Sequence, residues 1–101
     1  MDEVLSVLSL AKKAGKAVSG SFSVMETVKA RKAKIVIVSK DASDNTKKLF
    51  HDKCAYRSIQ IVEYGLMDDL GRAVGESKRT VAALTDENLK KLLLNKLNHG
   101  E

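Results

Sequence analysis

Four consecutive β-branched residues, Ile35-Val36-Ile37-Val38, constrain this chain more than any other feature of its sequence. Side chains alternate between the two faces of a strand, so an unbroken apolar run predicts a strand that is buried on both faces. A strand of this kind needs a layer of other elements on each side of it. The run therefore indicates a sheet with helices on both faces.

Short β-like runs alternate with helical patterns along the rest of the chain. Further strands are predicted at 17–19, 59–62 and 80–84. Five helices are predicted. The first lies between Asp2 and Gly15, and the second ends at about Lys32. The third begins at Asp44 and carries Leu49, Phe50 and Cys54, the fourth runs from Leu66 to Val74, and the fifth follows a cap at Thr85 and carries an apolar stripe of Leu89, Leu92, Leu93 and Leu97. Helices between strands predict a three-layer α/β/α sandwich with a four-stranded, mostly parallel or mixed sheet. We expect residues 1–101 to form a single domain.

Two starts fit the second helix. Gly20-Ser21 can open it, with the helix beginning directly after a glycine turn. Alternatively, Ser23 can cap it while Glu26, three residues on, reaches back in a capping box. The residues alone favour neither start.

The sequence lacks a recognisable catalytic or metal-binding pattern. His51 and Cys54 share a helix face, but no third group orients them, and a buried structural cysteine fits the apolar stripe better. Zinc needs about four ligands, which these two residues and His99 do not supply. We therefore expect no enzymatic activity, no metal and no cofactor. The single cysteine, the acidic start and the lack of a long apolar run predict a cytoplasmic protein without a membrane segment.

Positive charge is concentrated in one stretch of the chain. Residues 12–34 contain seven lysines and arginines against the single acid Glu26, whereas the net charge of the whole chain is +5. A solvated basic face is the ordinary explanation of such a run. Its concentration also fits an anionic partner.

The glycine turn within this stretch is a candidate anion site. Gly15-Lys-Ala-Val-Ser-Gly20-Ser21 runs from a strand through a turn into a helix. A helix that opens after Gly20 presents free N–H groups and the positive end of its dipole, and nearby lysines add charge. An ordinary turn with solvated lysines remains the alternative.

Several short runs together resemble a known family. They are Leu10-Ala-Lys-Lys-Ala-Gly15-Lys-Ala-Val-Ser-Gly20, Ala33-Lys-Ile-Val-Ile-Val38, Asp41-Ala-Ser-Asp-Asn45-Thr-Lys-Lys48, Asp52-Lys-Cys54, Leu70-Gly-Arg-Ala-Val-Gly75 and Thr80-Val-Ala-Ala-Leu-Thr-Asp86. In this order and spacing they resemble the kink-turn-binding ribosomal proteins of the L7Ae and L30e type, above all their small bacterial YlxQ-like branch. The likeness spans about residues 4–97. It implies an α/β/α sandwich with a four-stranded mixed sheet.

The resemblance also implies binding to a kink-turn, an RNA duplex bent at a bulge beside sheared G·A pairs. In the family a Gly-Thr-Asn-Glu stretch at the start of the second helix, with a lysine one turn on, reads the guanines. The loop after the Leu-Gly helix covers a flipped base. Here Gly20 and Ser21 match the first two positions, whereas Phe22, Ser23 and Glu26 replace the asparagine, glutamate and lysine. Recognition by shape suits a chain in which aromatic residues are only 4%.

These observations predict a non-enzymatic protein that binds structured RNA, a kink-turn or a similar element, as a monomer associated with the ribosome or another ribonucleoprotein. The predicted RNA-binding residues are Lys16, Gly20, Ser21, Phe22, Ser23, Lys29, Arg31, Lys34, Arg72, Lys78 and Arg79. The alternative is a protein-interaction or assembly scaffold that kept the fold and lost RNA reading. Phe22, Ser23 and Glu26 are the residues that favour this alternative.

Overall fold

The predicted double-sided strand lies in the middle of a four-stranded mixed sheet. The computed structural model describes residues 2–99. The strands are β1 (Ala17–Ser19), β2 (Ile35–Val38), β3 (Gln60–Glu63) and β4 (Val81–Leu84), in the spatial order β1-β4-β2-β3. β4 runs antiparallel to both β1 and β2, and β2 runs parallel to β3. All four residues of β2 are buried.

Helices cover both faces of this sheet, which confirms the predicted α/β/α sandwich. They are α1 (Glu3–Lys13), α2 (Ser21–Lys29), α3 (Asp44–Tyr56), α4 (Met67–Ala73) and α5 (Glu87–His99). Ile35 and Ile37 join the core formed with α1, α4 and α5. Val36 and Val38 point to the opposite face and join the core formed with α2 and α3. The alternation of side chains along β2 thus builds both cores.

Local hydrogen bonds correct several predicted boundaries. α2 begins at Ser21 with Gly20 at its N-cap, so the alternative start at Ser23 is wrong. α2 ends at Lys29 rather than Lys32, because Arg31 turns into the left-handed region with φ of 60°. Asp86 rather than Thr85 caps α5: its carboxylate accepts from the N–H of Leu89 at 2.9 Å. The hydroxyl of Thr85 instead donates to the Lys16 carbonyl.

Two leucines of the predicted helical stripes lie on the surface. Leu49 of α3 is 45% exposed, whereas its neighbour Phe50 is 1% exposed. Leu92 of α5 is 37% exposed, whereas Leu93 is fully buried. The apolar faces of α3 and α5 are therefore narrower than their sequences indicate.

The sheet has two ends that position everything below. We call the end where β1 and β2 finish and β4 starts the Gly20 edge, because the Gly20 N–H donates to the Val81 carbonyl. We call the opposite end the Lys34 edge, because the Lys34 N–H donates to the Leu84 carbonyl. Three strand steps, about 10 Å, separate Val81 from Leu84. α2 and α3 run from the Gly20 edge to the Lys34 edge.

Within residues 2–99, no helix is both long and apolar enough to cross a bilayer.

Candidate RNA interface

The start of α2 is an uncapped helix end. Gly20 carries no side chain that could accept a hydrogen bond from the first turn. The first helical hydrogen bond joins the Val24 N–H to the Gly20 carbonyl at 3.0 Å, which leaves the N–H groups of Ser21, Phe22 and Ser23 ahead of it. Free N–H groups and the positive dipole end make such a terminus favourable for a phosphate.

Glycine is required at this cap by the backbone. Gly20 has φ of 91° and ψ of 148°, a conformation that is almost restricted to glycine. A Cβ at this position would find ordinary space, with its nearest neighbour the Arg79 Nε at 3.7 Å. The requirement is therefore conformational rather than steric, and it lets the strand turn sharply into the helix.

Arg79 is fixed above this turn by three contacts. Its Nε donates to the Ser19 hydroxyl at 3.3 Å, and one terminal nitrogen donates to the Lys78 carbonyl at 2.9 Å. The other terminal nitrogen lies 3.1 Å from the Glu76 carboxylate. The guanidinium is thus held in place beside the open helix end.

Two of these partners, Ser19 and Glu76, were not among the predicted residues. The three-residue spacing of Glu76 and Arg79 is compatible with a local ion pair. Ser19 lies 60 positions away from Arg79, so nothing in the sequence links them.

The loop that carries Arg79 is packed tightly on α4. Gly71 is buried in the middle of α4, and the backbone of Ser77 and Lys78 passes directly over it. A Cβ at Gly71 would lie 2.7 Å from the Ser77 carbonyl carbon, closer than real side chains come. The N–H of Arg79 also donates to the Met67 carbonyl at 3.1 Å. Because Gly71 has no side chain, residues 76–79 can pack closely on α4 and reach the Gly20 edge.

Phe22 projects from the first turn of α2 into solvent. Its side chain is 79% exposed, beside the exposed Ser21 and Ser23. Glu26 follows one turn later on the same helix and is also exposed. Among the ion pairs found within residues 2–99, none involves Glu26. With Ser21 starting the helix, the capping box that would have occupied Glu26 does not form.

The predicted RNA-binding residues fall into three places. Gly20, Ser21, Phe22, Ser23, Lys78 and Arg79 come together at the Gly20 edge. Lys16, Lys29, Arg31 and Lys34 lie at or near the Lys34 edge, where β1 and β2 start and α2 ends. Arg72 lines a cleft with Lys12 and Lys13 on the α1 side of the sheet and pairs with Asp69 at 3.5 Å. The basic stretch of the sequence is thus divided by the fold.

His51 and Cys54 are engaged in separate surroundings. His51 Nε2 lies 3.0 Å from a Glu63 carboxylate oxygen, and this hydrogen bond lowers the pKa of Glu63. Cys54 is fully buried, and burial raises the pKa of its thiol to about 11, against a smaller opposing effect of Arg57. The thiol therefore stays protonated at neutral pH. The described residues contain no group of three or more side chains placed to hold a metal ion.

Comparison with known sequences identifies relatives over almost the full chain. Residues 2–94 match the Ribosomal protein L7Ae/L30e/S12e/Gadd45 family. The RNA-binding protein YlxQ of Bacillus subtilis (strain 168) is 35% identical over 96 residues, which cover 95% of this chain and 96% of that protein. The RNA-binding protein YlxQ of Enterococcus faecium is 29% identical over 89 residues, which cover 88% of this chain and 86% of that protein.

Solved structures agree with this assignment. A protein of unknown function from Bacillus halodurans C superposes with a TM-score of 0.92 at 31% identity, covering 98% of this chain and 100% of its own. The Giardia lamblia 15.5kD RNA binding protein superposes with a TM-score of 0.77 at 23% identity, covering 95% of this chain and 82% of its own. The second likeness supports the fold alone. By sequence and fold together, the chain belongs to the Ribosomal protein L7Ae/L30e/S12e/Gadd45 family.

Proposed function

We propose that this protein is a non-enzymatic RNA-binding protein that recognises a kink-turn or a similar sharply bent RNA through its Gly20 edge. The observation that carries the proposal is the uncapped start of α2 directly beneath the fixed guanidinium of Arg79. Free N–H groups and a positioned arginine together suit two adjacent phosphates. Two relatives are named RNA-binding proteins, which supports the same class of partner.

In this proposal some residues of the Gly20 edge bind phosphates and another stacks on a base. The α2 start and Arg79 hold the backbone at the bend, and Lys78 adds a phosphate contact from the exposed side of its loop. Phe22 stacks on an unpaired base, since its ring is free of the protein surface. Recognition then rests on the shape of the RNA, as the family resemblance implies.

The partner and setting follow from this role. We propose structured RNA of a ribosome or another ribonucleoprotein as the partner, with the protein monomeric when free and located in the cytoplasm. Neither a metal nor a cofactor enters the proposed mechanism.

The protein should bind a short kink-turn RNA at least about tenfold more tightly than a variant whose sheared G·A pairs are replaced by Watson–Crick pairs. Phe22→Ala should then weaken binding of the kink-turn by about fivefold or more, because a stacked base contributes about 1–3 kcal/mol. Mobility shift at fixed ionic strength measures both effects. Equal binding of the two RNAs would contradict kink-turn recognition.

The control for Phe22→Ala is Leu10→Ala, which removes a half-exposed apolar side chain from α1 instead. It should leave RNA affinity unchanged. If neither RNA binds at all, the result favours the alternative of a protein-interaction scaffold, in which Phe22 is an exposed apolar contact for another protein.

Reversing the charge at Glu26 should tighten kink-turn binding. Glu26 is exposed and lies four residues after Phe22, on the same face of α2, near the region where the proposal places phosphates. Glu26→Lys should raise affinity about three- to tenfold and make the salt dependence steeper, because one more phosphate is neutralised. A salt titration of the dissociation constant measures both quantities.

Glu87→Lys makes the same charge change at the start of α5, on the other face of the sheet. It should have little effect on the short kink-turn RNA. Equal gains from both substitutions would mean that net charge, and not the position of Glu26, decides affinity.

A further inference from the structure

The Lys34 edge carries a second basic surface that the Gly20 edge does not use. We define the far basic surface by six residues: Lys16, Lys29, Arg31, Lys32, Lys34 and Arg57. Lys16 precedes β1 and Lys34 precedes β2, and both backbones bond to the end of β4. Lys29 ends α2, and Arg57 caps the end of α3 just before β3, whose first residue pairs with Ile35. Three chain segments thus bring these cations to one end of the sheet.

The charge of this surface is not neutralised within the protein. Among the ion pairs found within residues 2–99, none involves any of the six cations. Five of them are exposed, and Arg57 is partly buried. Two acidic residues follow β4 at this end of the sheet, where Asp86 caps α5 and Glu87 pairs with Lys90 at 3.8 Å. A third, Glu26, lies one turn before Lys29 on α2. The edge therefore has a net attraction for anions.

An exposed aromatic ring lies within this surface. Tyr56 is the last residue of α3 and is 78% exposed. The Arg57 guanidinium lies 5.2 Å from the centre of its ring, within the range of a cation–π contact. A free ring face beside cations is an arrangement typical of sites for single-stranded nucleic acid, where bases stack and phosphates are neutralised.

Arg31 occupies a position at which glycine would be more stable. The N–H of Lys32 donates to the Thr27 carbonyl and the N–H of Arg31 to the Val28 carbonyl, which is the Schellman ending of a helix. Arg31 stands at the left-handed residue of that ending, with φ of 60°. α1 and α4 place Gly15 and Gly75 at the corresponding position. Arg31 therefore carries its charge at a position that has a conformational cost for a residue other than glycine.

We propose that the far basic surface is a second RNA contact, which takes a single-stranded segment flanking the structured element. Arg31, Lys32 and Lys34 neutralise its phosphates, and Tyr56 stacks on one of its bases. This inference rests on the proposed function, because the flanking segment is part of the RNA that the Gly20 edge binds. An acidic protein partner would need an apolar centre in its interface, whereas this edge presents a ring framed by cations.

The test compares a short kink-turn RNA with the same RNA carrying an unpaired extension of about 12 nucleotides, a length within the span of single-stranded sites. Extensions at the 5′ and 3′ ends are tested separately. For the wild-type protein, one extension should raise affinity about tenfold. Arg31→Gly and Tyr56→Ala should each remove most of that gain and leave the short RNA within twofold of wild type. The salt slope for the extended RNA should fall by about 0.7 in Arg31→Gly.

Ser58→Gly is the matched control for Arg31→Gly. Ser58 has φ of 56° and ends α3 in the same Schellman geometry, with the Ile59 N–H donating to the Cys54 carbonyl. Both substitutions relieve a left-handed residue, so both should raise the denaturant midpoint. Only Arg31→Gly removes a charge, and only it should lose the gain from the extension. Weaker binding with a raised midpoint cannot come from misfolding.

Oligouridine of about 12 nucleotides separates this inference from the proposed function. If the kink-turn RNA fails to bind while oligouridine binds and responds to Arg31→Gly, the proposed function fails and the far basic surface stands. If the extensions add nothing and Arg31→Gly and Tyr56→Ala match wild type on every RNA, the far basic surface is overturned as an RNA contact. In that case an acidic protein partner is the remaining occupant.

Discussion

Gly71→Ala is expected to lower the free energy of unfolding by about 2 kcal/mol and to weaken kink-turn binding about tenfold. The added Cβ would overlap the Ser77 carbonyl group, a backbone neighbour that cannot rotate aside. Overpacking costs about 1–3 kcal/mol, and the better helix propensity of alanine offsets less than about 1 kcal/mol of it. The structure can relieve the overlap by lifting residues 76–79 away from α4. That movement carries Arg79 away from Gly20, so stability and affinity fall together.

Chemical denaturation and mobility shift of the same preparation measure the two effects of Gly71→Ala. The control is Gly15→Ala, at the end of α1, where a Cβ meets nothing within 4 Å and φ is +72°. It should cost about 1 kcal/mol through backbone strain alone and leave the affinity for the short kink-turn RNA unchanged. A Gly71→Ala protein with wild-type stability would show that the loop does not pack on α4 as described.

Phe50→Ala should lower the free energy of unfolding by about 3–5 kcal/mol, a larger loss than that expected from Gly71→Ala. Phe50 is the largest fully buried side chain and lies in the core between the sheet and the α2–α3 layer. Removing its ring leaves a cavity that β2 and β4 cannot close without losing their pairing. Since small domains are stable by about 5–15 kcal/mol, this loss consumes a large part of the total.

Leu49→Ala is the control for Phe50→Ala, because it truncates the adjacent residue of α3, whose side chain is 45% exposed. It should cost less than about 1 kcal/mol. Guanidinium denaturation monitored by circular dichroism gives the free energy of unfolding of both variants for comparison. Similar losses for the two would mean that α3 is rotated about its axis relative to the described packing.

The strands and helices were largely predictable because local patterns decide them. β2 was placed correctly from its four β-branched residues, and the position of α1 between Asp2 and Gly15 and the start of α3 at Asp44 were predicted correctly as well. The start of α2 was not decided by pattern, since a glycine turn and a capping box both fit. Its outcome depends on the Gly20 N–H reaching Val81, which is 61 positions away in the chain. Leu49 and Leu92 were misjudged for a similar reason, because burial depends on where neighbouring helices pack.

The candidate site was only partly predictable, for a topological reason. The charge pattern along the chain predicted that Gly20, Lys16, Lys29 and Lys34 belong to one site, because they are close in sequence. The crossover from β1 through α2 to β2 instead places Gly20 at one end of the sheet and Lys34 at the other. The neighbour of Gly20 in space is Arg79, which the family resemblance suggested and the charge pattern did not. Sequence distance predicts contacts within an element, whereas strand order decides contacts between elements.

The strand order also determines how the sheet is protected against adding a strand from a second molecule. Its outer strands are β1 and β3, so only these two expose unpaired backbone groups. β1 is three residues long, too short to template an extended partner. β3 ends at Glu63, whose carboxylate is held by Lys47 at 3.6 Å and His51 at 3.0 Å, so charged side chains flank the open border. A protein built this way resists edge-to-edge aggregation.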